Sequence, residues 1–174
     1  FPVPDGDTGT NMVFTLTSIL DSTQKKIYPR VDDMLAHIAD AALDGARGNS
    51  GVILAQFFQG LSDGAAGVEK MTPKSFAKAV QFGAEYARQA LAEPKEGTML
   101  TVMRDLSLAA RESVAQGATE PLTVWQAATT GAKIALARTP SQLPVLREAG
   151  VVDAGGQGIA LLLESITSYL AGEN

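Results

Sequence analysis

Apolar side chains recur along the chain at intervals of three and four residues, and no segment alternates strictly enough to make a strand. Met12, Leu16, Ile19 and Leu20 open the series and imply a helix ending in the polar run 21–26, ahead of the Tyr28-Pro29 break. Met34, Leu35, Ile38, Ala42 and Leu43 form the stripe of a second helix, capped by Asp32 or Asp33 and reaching Gly45. The spacing then predicts helices over 52–61, 73–91, 99–115, 122–136 and 159–170, with a short helical piece at 143–146 closed by Gly150. Pro73 suits a first helical turn, while Pro94, Pro121 and Pro140 punctuate the pattern. Val151-Val152 is too short to count as a strand, so the expected class is all-α, with about eight helices.

The 17 glycines cluster at the starts of these helices, as helices that gather a ligand at one end would require. Asp5-Gly6-Asp7 places two carboxylates at i and i+2 around a residue that bends freely, a spacing that can aim both at one hard cation, magnesium fitting best. The plainer use of such a triplet is a solvated turn with an Asp as N-cap. The adjoining residues favour the ligand. Thr8-Gly9-Thr10-Asn11 adds two hydroxyls, an amide and backbone N–H groups at a helix start, where the partial positive charge attracts phosphate. Arg47-Gly48-Asn49-Ser50-Gly51 repeats the arrangement at a second entrance, and Gly97-Thr98-Met99 and Asp153-Ala154-Gly155-Gly156 are third and fourth candidates.

Composition narrows the chemistry. A chain of 174 residues, 45% hydrophobic and 19% charged, is expected to form one domain, residues 1–174, with a single core. It has no cysteine, which excludes a disulfide scaffold, a zinc-thiolate site and a Cys nucleophile. The net charge of −5 argues against a partner bound through nucleic-acid phosphates. No G-x-x-x-x-G-K-[ST] phosphate loop is present, and without strands there is no dinucleotide fold to invoke. His37, the one histidine, lies mid-helix and receives no role. No apolar stretch approaches the ~20 residues of a membrane span and no basic leader opens the chain, so the expectation is a cytoplasmic protein without a membrane span. The opening at Phe1, with no initiator Met, suggests numbering that starts inside a larger protein.

Val3-Pro4-Asp5-Gly6-Asp7-Thr8-Gly9-Thr10-Asn11-Met12, the block from Ala46 to Leu54, Gly97-Thr98-Met99-Leu100, and the blocks starting at Leu143 and Gly150 resemble the nucleotide-binding domain of bacterial fatty acid kinase. That domain is related to the L subunit of dihydroxyacetone kinase. The resemblance runs over essentially the whole chain in order and implies a barrel of eight antiparallel helices with the nucleotide at one end. It implies magnesium, as two ions, on Asp5 and Asp7, and ATP or ADP phosphates at Thr8, Gly9, Thr10 and Asn11. A second phosphate turn would be Asn49, Ser50 and Gly51. Gly97, Thr98 and Met99 would stand beside the nucleotide, Asp153, Ala154 and Gly155 would flank the nucleoside, and Arg138 is a looser match to an arginine of that site. Arg47 is the expected extra cation near the transferred phosphate, or else a member of a surface ion pair. A further metal ligand would precede Phe1, and further domains would follow residue 174. The implied acceptor is a fatty acid carboxylate presented by a separate fatty-acid-binding protein. Dihydroxyacetone, or a nucleotide-binding regulatory role without turnover, are the alternatives.

Overall fold

The computed structural model describes residues 6–172, and these form eight α-helices with no strand among them. The helices are α1 (Thr8–Thr23), α2 (Val31–Gly45), α3 (Gly48–Gly64), α4 (Pro73–Gln89), α5 (Met99–Ala115), α6 (Pro121–Gln142), α7 (Pro144–Ala149) and α8 (Ala154–Leu170). Each long helix packs on the next in sequence, and α8 closes the ring by packing on α6, α5 and α1. Short links between packed neighbours force successive helices to run antiparallel. The first turns of α1, α3 and α5 therefore share one end of the barrel. Short α7 follows α6 after a single residue and lets α8 begin at that same end.

The core is built from the inward stripes, with Leu54, Val102, Met103 and Val124 fully buried. Phe57, Phe58, Phe76 and Trp125 pack around it, and an apolar cavity of about 150 Å³ remains inside. Small residues bring α3 and α4 unusually close. A Cβ on Gly60 would lie 2.3 Å from the Phe82 carbonyl oxygen, and one on Gly64 would lie 2.8 Å from the Ala79 Cα.

Several boundaries differ from the sequence reading for identifiable reasons. The first-turn N–H groups of a helix need no partner within it, so glycine is tolerated there. The glycine-rich motifs are accordingly the first turns themselves: α1 starts at Thr8, α3 at Gly48 and α8 at Ala154. Asp32 and Asp33 lie in the first turn of α2 rather than capping it; Arg30 is the N-cap, and its guanidinium grips Asp32 at 2.8 Å. Nor does Pro140 end α6. Proline has no N–H to give the Leu136 carbonyl one turn back, and the neighbouring Thr139 hydroxyl donates to that oxygen instead, at 2.8 Å. The helix thus continues to Gln142. His37, given no role, hydrogen-bonds through Nε2 to Ser22 Oγ at 2.7 Å.

Candidate functional site

At the end shared by the four first turns lies an open cleft of about 530 Å³. Thr8 of α1, Asn49 and Ser50 of α3, Thr98 and Met99 of α5, and Asp153 and Gly155 of α8 all line it. All four candidate entrances thus contribute to a single cavity. The antiparallel alternation brings them together although they are separated by up to 145 positions along the chain, counted from Thr8 to Asp153.

The first two entrances are interlocked. Ser50 Oγ donates to the Thr8 carbonyl at 3.1 Å. Gly48 has φ +59, and a Cβ there would run into the Asn11 side-chain amide. A Cβ on Gly51 would touch the Thr15 hydroxyl at 3.1 Å. Tight packing thus accounts for Gly48 and Gly51 on its own. It does not account for Gly9, around which a Cβ would meet nothing among the described residues within 4 Å. Gly9 has no positive φ and, among the described residues, no crowded neighbour to require it, whereas close approach of a ligand to the backbone would.

Capping divides the entrances into two kinds. Thr98 caps α5 by accepting from the Leu100 N–H at 3.4 Å, and Asp153 caps α8 by accepting from the Gly156 N–H at 2.8 Å. At α1 the N-cap is Asp7, whose carboxylate makes no capping bond, and at α3 it is Arg47, which has no acceptor to offer. Among the described residues, then, no side chain caps the first turn of α1 or α3, and their donors stay available to an anion. Asp7 is exposed and bonds to no other described residue through its carboxylate, so the N-cap use of that carboxylate is not the one made here. A free carboxylate beside the Thr8 hydroxyl has the oxygen chemistry a hard cation takes. Asp5, its expected companion, lies outside the described residues, and among the described residues no three His, Cys, Asp or Glu side chains cluster as a metal site.

Asp153 is 8% exposed, and its backbone N–H donates to Thr139 Oγ1 at 3.0 Å. Burial pushes its carboxyl above the usual range, against the opposing pull of the Gly156, Met99 and Gly155 N–H groups. A folded-state pKa above the unfolded one makes this group's contribution to stability fullest below the ordinary carboxylate pKa of about 4, and that contribution is lost as pH rises through the raised value. Asp153→Asn keeps the cap and removes the charge. Denaturant melts across pH 4–7 are expected to show the variant no less stable than wild type at pH 7, with its relative advantage shrinking toward pH 4.

Other anticipated residues are placed differently. Arg47 is exposed and its Nη1 donates to the Ala46 carbonyl at 2.8 Å, outside the cleft lining. Arg138 does not line the cleft either: it pairs with Asp105 at 2.8 Å and borders a separate groove, because α6 carries it on the outer wall one turn before its end. Thr10 is exposed and Ala154 half-buried, each adjacent to lining residues. Gly97, at φ +80, is wedged against Leu143. Sequence reasoning missed the charged loop residues Glu93 and Lys95, and also Ile53, Leu91, Ala92, Leu143 and Val145, which supply much of the apolar lining. The breaks at Pro94 and Pro144 were the available signal, since each turns the chain at the cleft.

A cleft lined by both apolar side chains and open helix N-termini suits a nucleoside joined to phosphates. A family profile described as the DAK2 domain matches residues 2–168. The chain belongs to the DAK2 domain family. DAK2 domains are kinase-related and bind nucleotide, and they are related to the L subunit of dihydroxyacetone kinase. This DAK2 domain is 40% identical over 173 residues to protein YloV of Bacillus subtilis, covering 99% of this chain and 31% of that protein. It is 39% identical to an uncharacterized protein of Staphylococcus saprophyticus and 38% identical to one of Staphylococcus aureus strain USA300, with the same coverage. The chain therefore spans about a third of the length of these relatives. Among its described residues no helix is long and apolar enough to cross a membrane.

Proposed function

We propose that this DAK2 domain binds ATP with magnesium in the four-helix cleft and serves phosphoryl transfer to a fatty acid carboxylate, yielding an acyl phosphate. The observation that carries the reading is the convergence of two uncapped helix N-termini, one of them next to the exposed Asp7 carboxylate, on a cleft that also has apolar side chains in its lining. The open first turns of α1 and α3 would hold the phosphates, and Leu143, Val145 and Met99 would shelter the nucleoside. Asp5 and Asp7 would hold magnesium, which when bound offsets phosphate charge during transfer. Asn49 and Ser50 would fix the phosphate chain, and Arg47 would swing in from the rim.

The ionisable groups among the described lining residues are Glu93, Lys95 and Asp153. A carboxylate acceptor is already deprotonated at neutral pH and asks no proton transfer of any of them, whereas a hydroxyl acceptor such as dihydroxyacetone would need a base such as Glu93 or Asp153. The carboxylate would be brought by a separate fatty-acid-binding protein, in a cytoplasmic assembly that includes further domains of a longer chain.

Nucleotide saturation supplies the first test. At 100 times the dissociation constant, ATP with magnesium should stabilise the fold by about 2.7 kcal/mol, an easily read upward shift of the melt. No shift at saturating concentrations contradicts the reading. Gly9→Ala separates ligand contact from packing. Among the described residues the added methyl has room, and it favours helix, so Tm should hold or rise slightly, while nucleotide affinity should fall by about tenfold because the methyl occupies the phosphate approach. A variant with unchanged affinity would remove Gly9 from the site.

A further inference from the structure

We propose that Glu96 is a positioning residue for nucleotide binding, setting the α5 entrance from outside the cleft; this rests on the nucleotide reading above. The Gly97 N–H donates to Thr101 Oγ1 at 2.9 Å in a buried contact, and that hydroxyl donates its single proton to Glu96 Oε2 at 2.9 Å. The direction is forced, because an N–H can only donate and a carboxylate can only accept. Arg104 Nη1 lies 2.8 Å from both Glu96 oxygens and its Nε donates to Asp105 Oδ1 at 2.9 Å, while Asp105 Oδ2 accepts from Arg138 at 2.8 Å. A continuous chain of hydrogen bonds thus runs from the outer wall of α6 to the backbone of the turn that opens α5.

The position of that turn matters for the cleft. Gly97 is buried at φ +80, and a Cβ there would lie 2.9 Å from the Leu143 Cβ, so the turn and the apolar wall move together. Lys95 and Thr98, on either side of Glu96-Gly97, both line the cavity, and the Thr98 hydroxyl donates to the Lys95 carbonyl at 2.7 Å. Burial raises the Glu96 pKa, but the Thr101 hydroxyl and Arg104 together lower it further, so the carboxyl stays ionised and able to accept. The Glu96 side chain is half exposed, and such an ion pair adds little to global stability. Its effect falls on the geometry of the turn. Arg138, expected at the nucleotide, acts through this chain instead.

The experiment is calorimetric titration of the full chain with ADP and magnesium, alongside thermal melts. Glu96→Ala and Thr101→Val should each weaken binding by about tenfold, Glu96→Ala with almost no change in Tm. Thr101→Ser, which keeps the hydroxyl, should bind as wild type does. The double variant should bind no worse than either single one, since both cut the same chain. Wild-type affinity in both single variants, additive losses in the double variant, or failure of Thr101→Ser to retain binding would each overturn the inference while leaving the nucleotide reading intact. A wild-type chain that takes up no nucleotide would overturn both.

Discussion

Asp7→Ala should abolish phosphoryl transfer, lowering the rate by on the order of 10³-fold or more, and should leave the fold standing. The carboxylate is exposed and caps nothing, so its removal takes no bond from α1, and the melt without ligand should shift by no more than surface substitutions usually cause. What should vanish is the ability of magnesium to strengthen nucleotide binding. Titrating ADP with and without magnesium reads this directly: wild type should show a large difference between the two isotherms, and the variant almost none. Asp5→Ala is expected to behave in the same way. Magnesium-dependent binding that survives in both variants would move the metal elsewhere.

The largest expected effect on stability lies far from the chemistry. Gly60→Ala should destabilise the fold by about 3 kcal/mol, a drop in Tm of roughly 6–12 °C for a chain of this size. A Cβ there would sit 2.3 Å from the Phe82 carbonyl oxygen, 2.5 Å from its carbon and 2.6 Å from the Gly83 Cα. All three are backbone atoms of α4, so no side chain can rotate away, and α3 and α4 must separate. Differential scanning calorimetry of this variant beside Gly9→Ala makes the contrast. Both replace a helical glycine by alanine, yet one should lose stability heavily and the other should not. Equal melts would mean that α3 and α4 do not cross as closely as described.

These two glycines also show what could be read from the sequence and what could not. Helical periodicity is a local property, and it yields the all-α class, the approximate number of helices and the position of the short piece at 144–149. The four entrances could be recognised because each combines glycine with a hydroxyl, amide or carboxylate at a helix start, and the cleft contains residues from all of them. The partner across a helix crossing is not local. Nothing around Gly60 says that it must meet Gly83, and nothing around Glu96 says that its carboxylate will receive the Thr101 proton and Arg104 together. Pro140 shows the same limit: proline usually stops a helix, and the rescue depends on a threonine hydroxyl that simultaneously holds the backbone of Asp153, 14 residues on. The apolar wall of the cleft escaped notice because Leu91, Leu143 and Val145 read as ordinary stripe residues until the ring closes around them.

The claim on which the rest depends is that four helix starts grip one nucleotide, and backbone amide chemical shifts recorded while ADP and magnesium are added test it most directly. The expected result is a single set of perturbed amides at Gly9 and Thr10, Asn49 and Ser50, Thr98 and Met99, and Asp153 to Gly155, saturating together. Shifts confined to one of these segments, or centred on the outer groove at Arg104, Ile134 and Arg138, would contradict it.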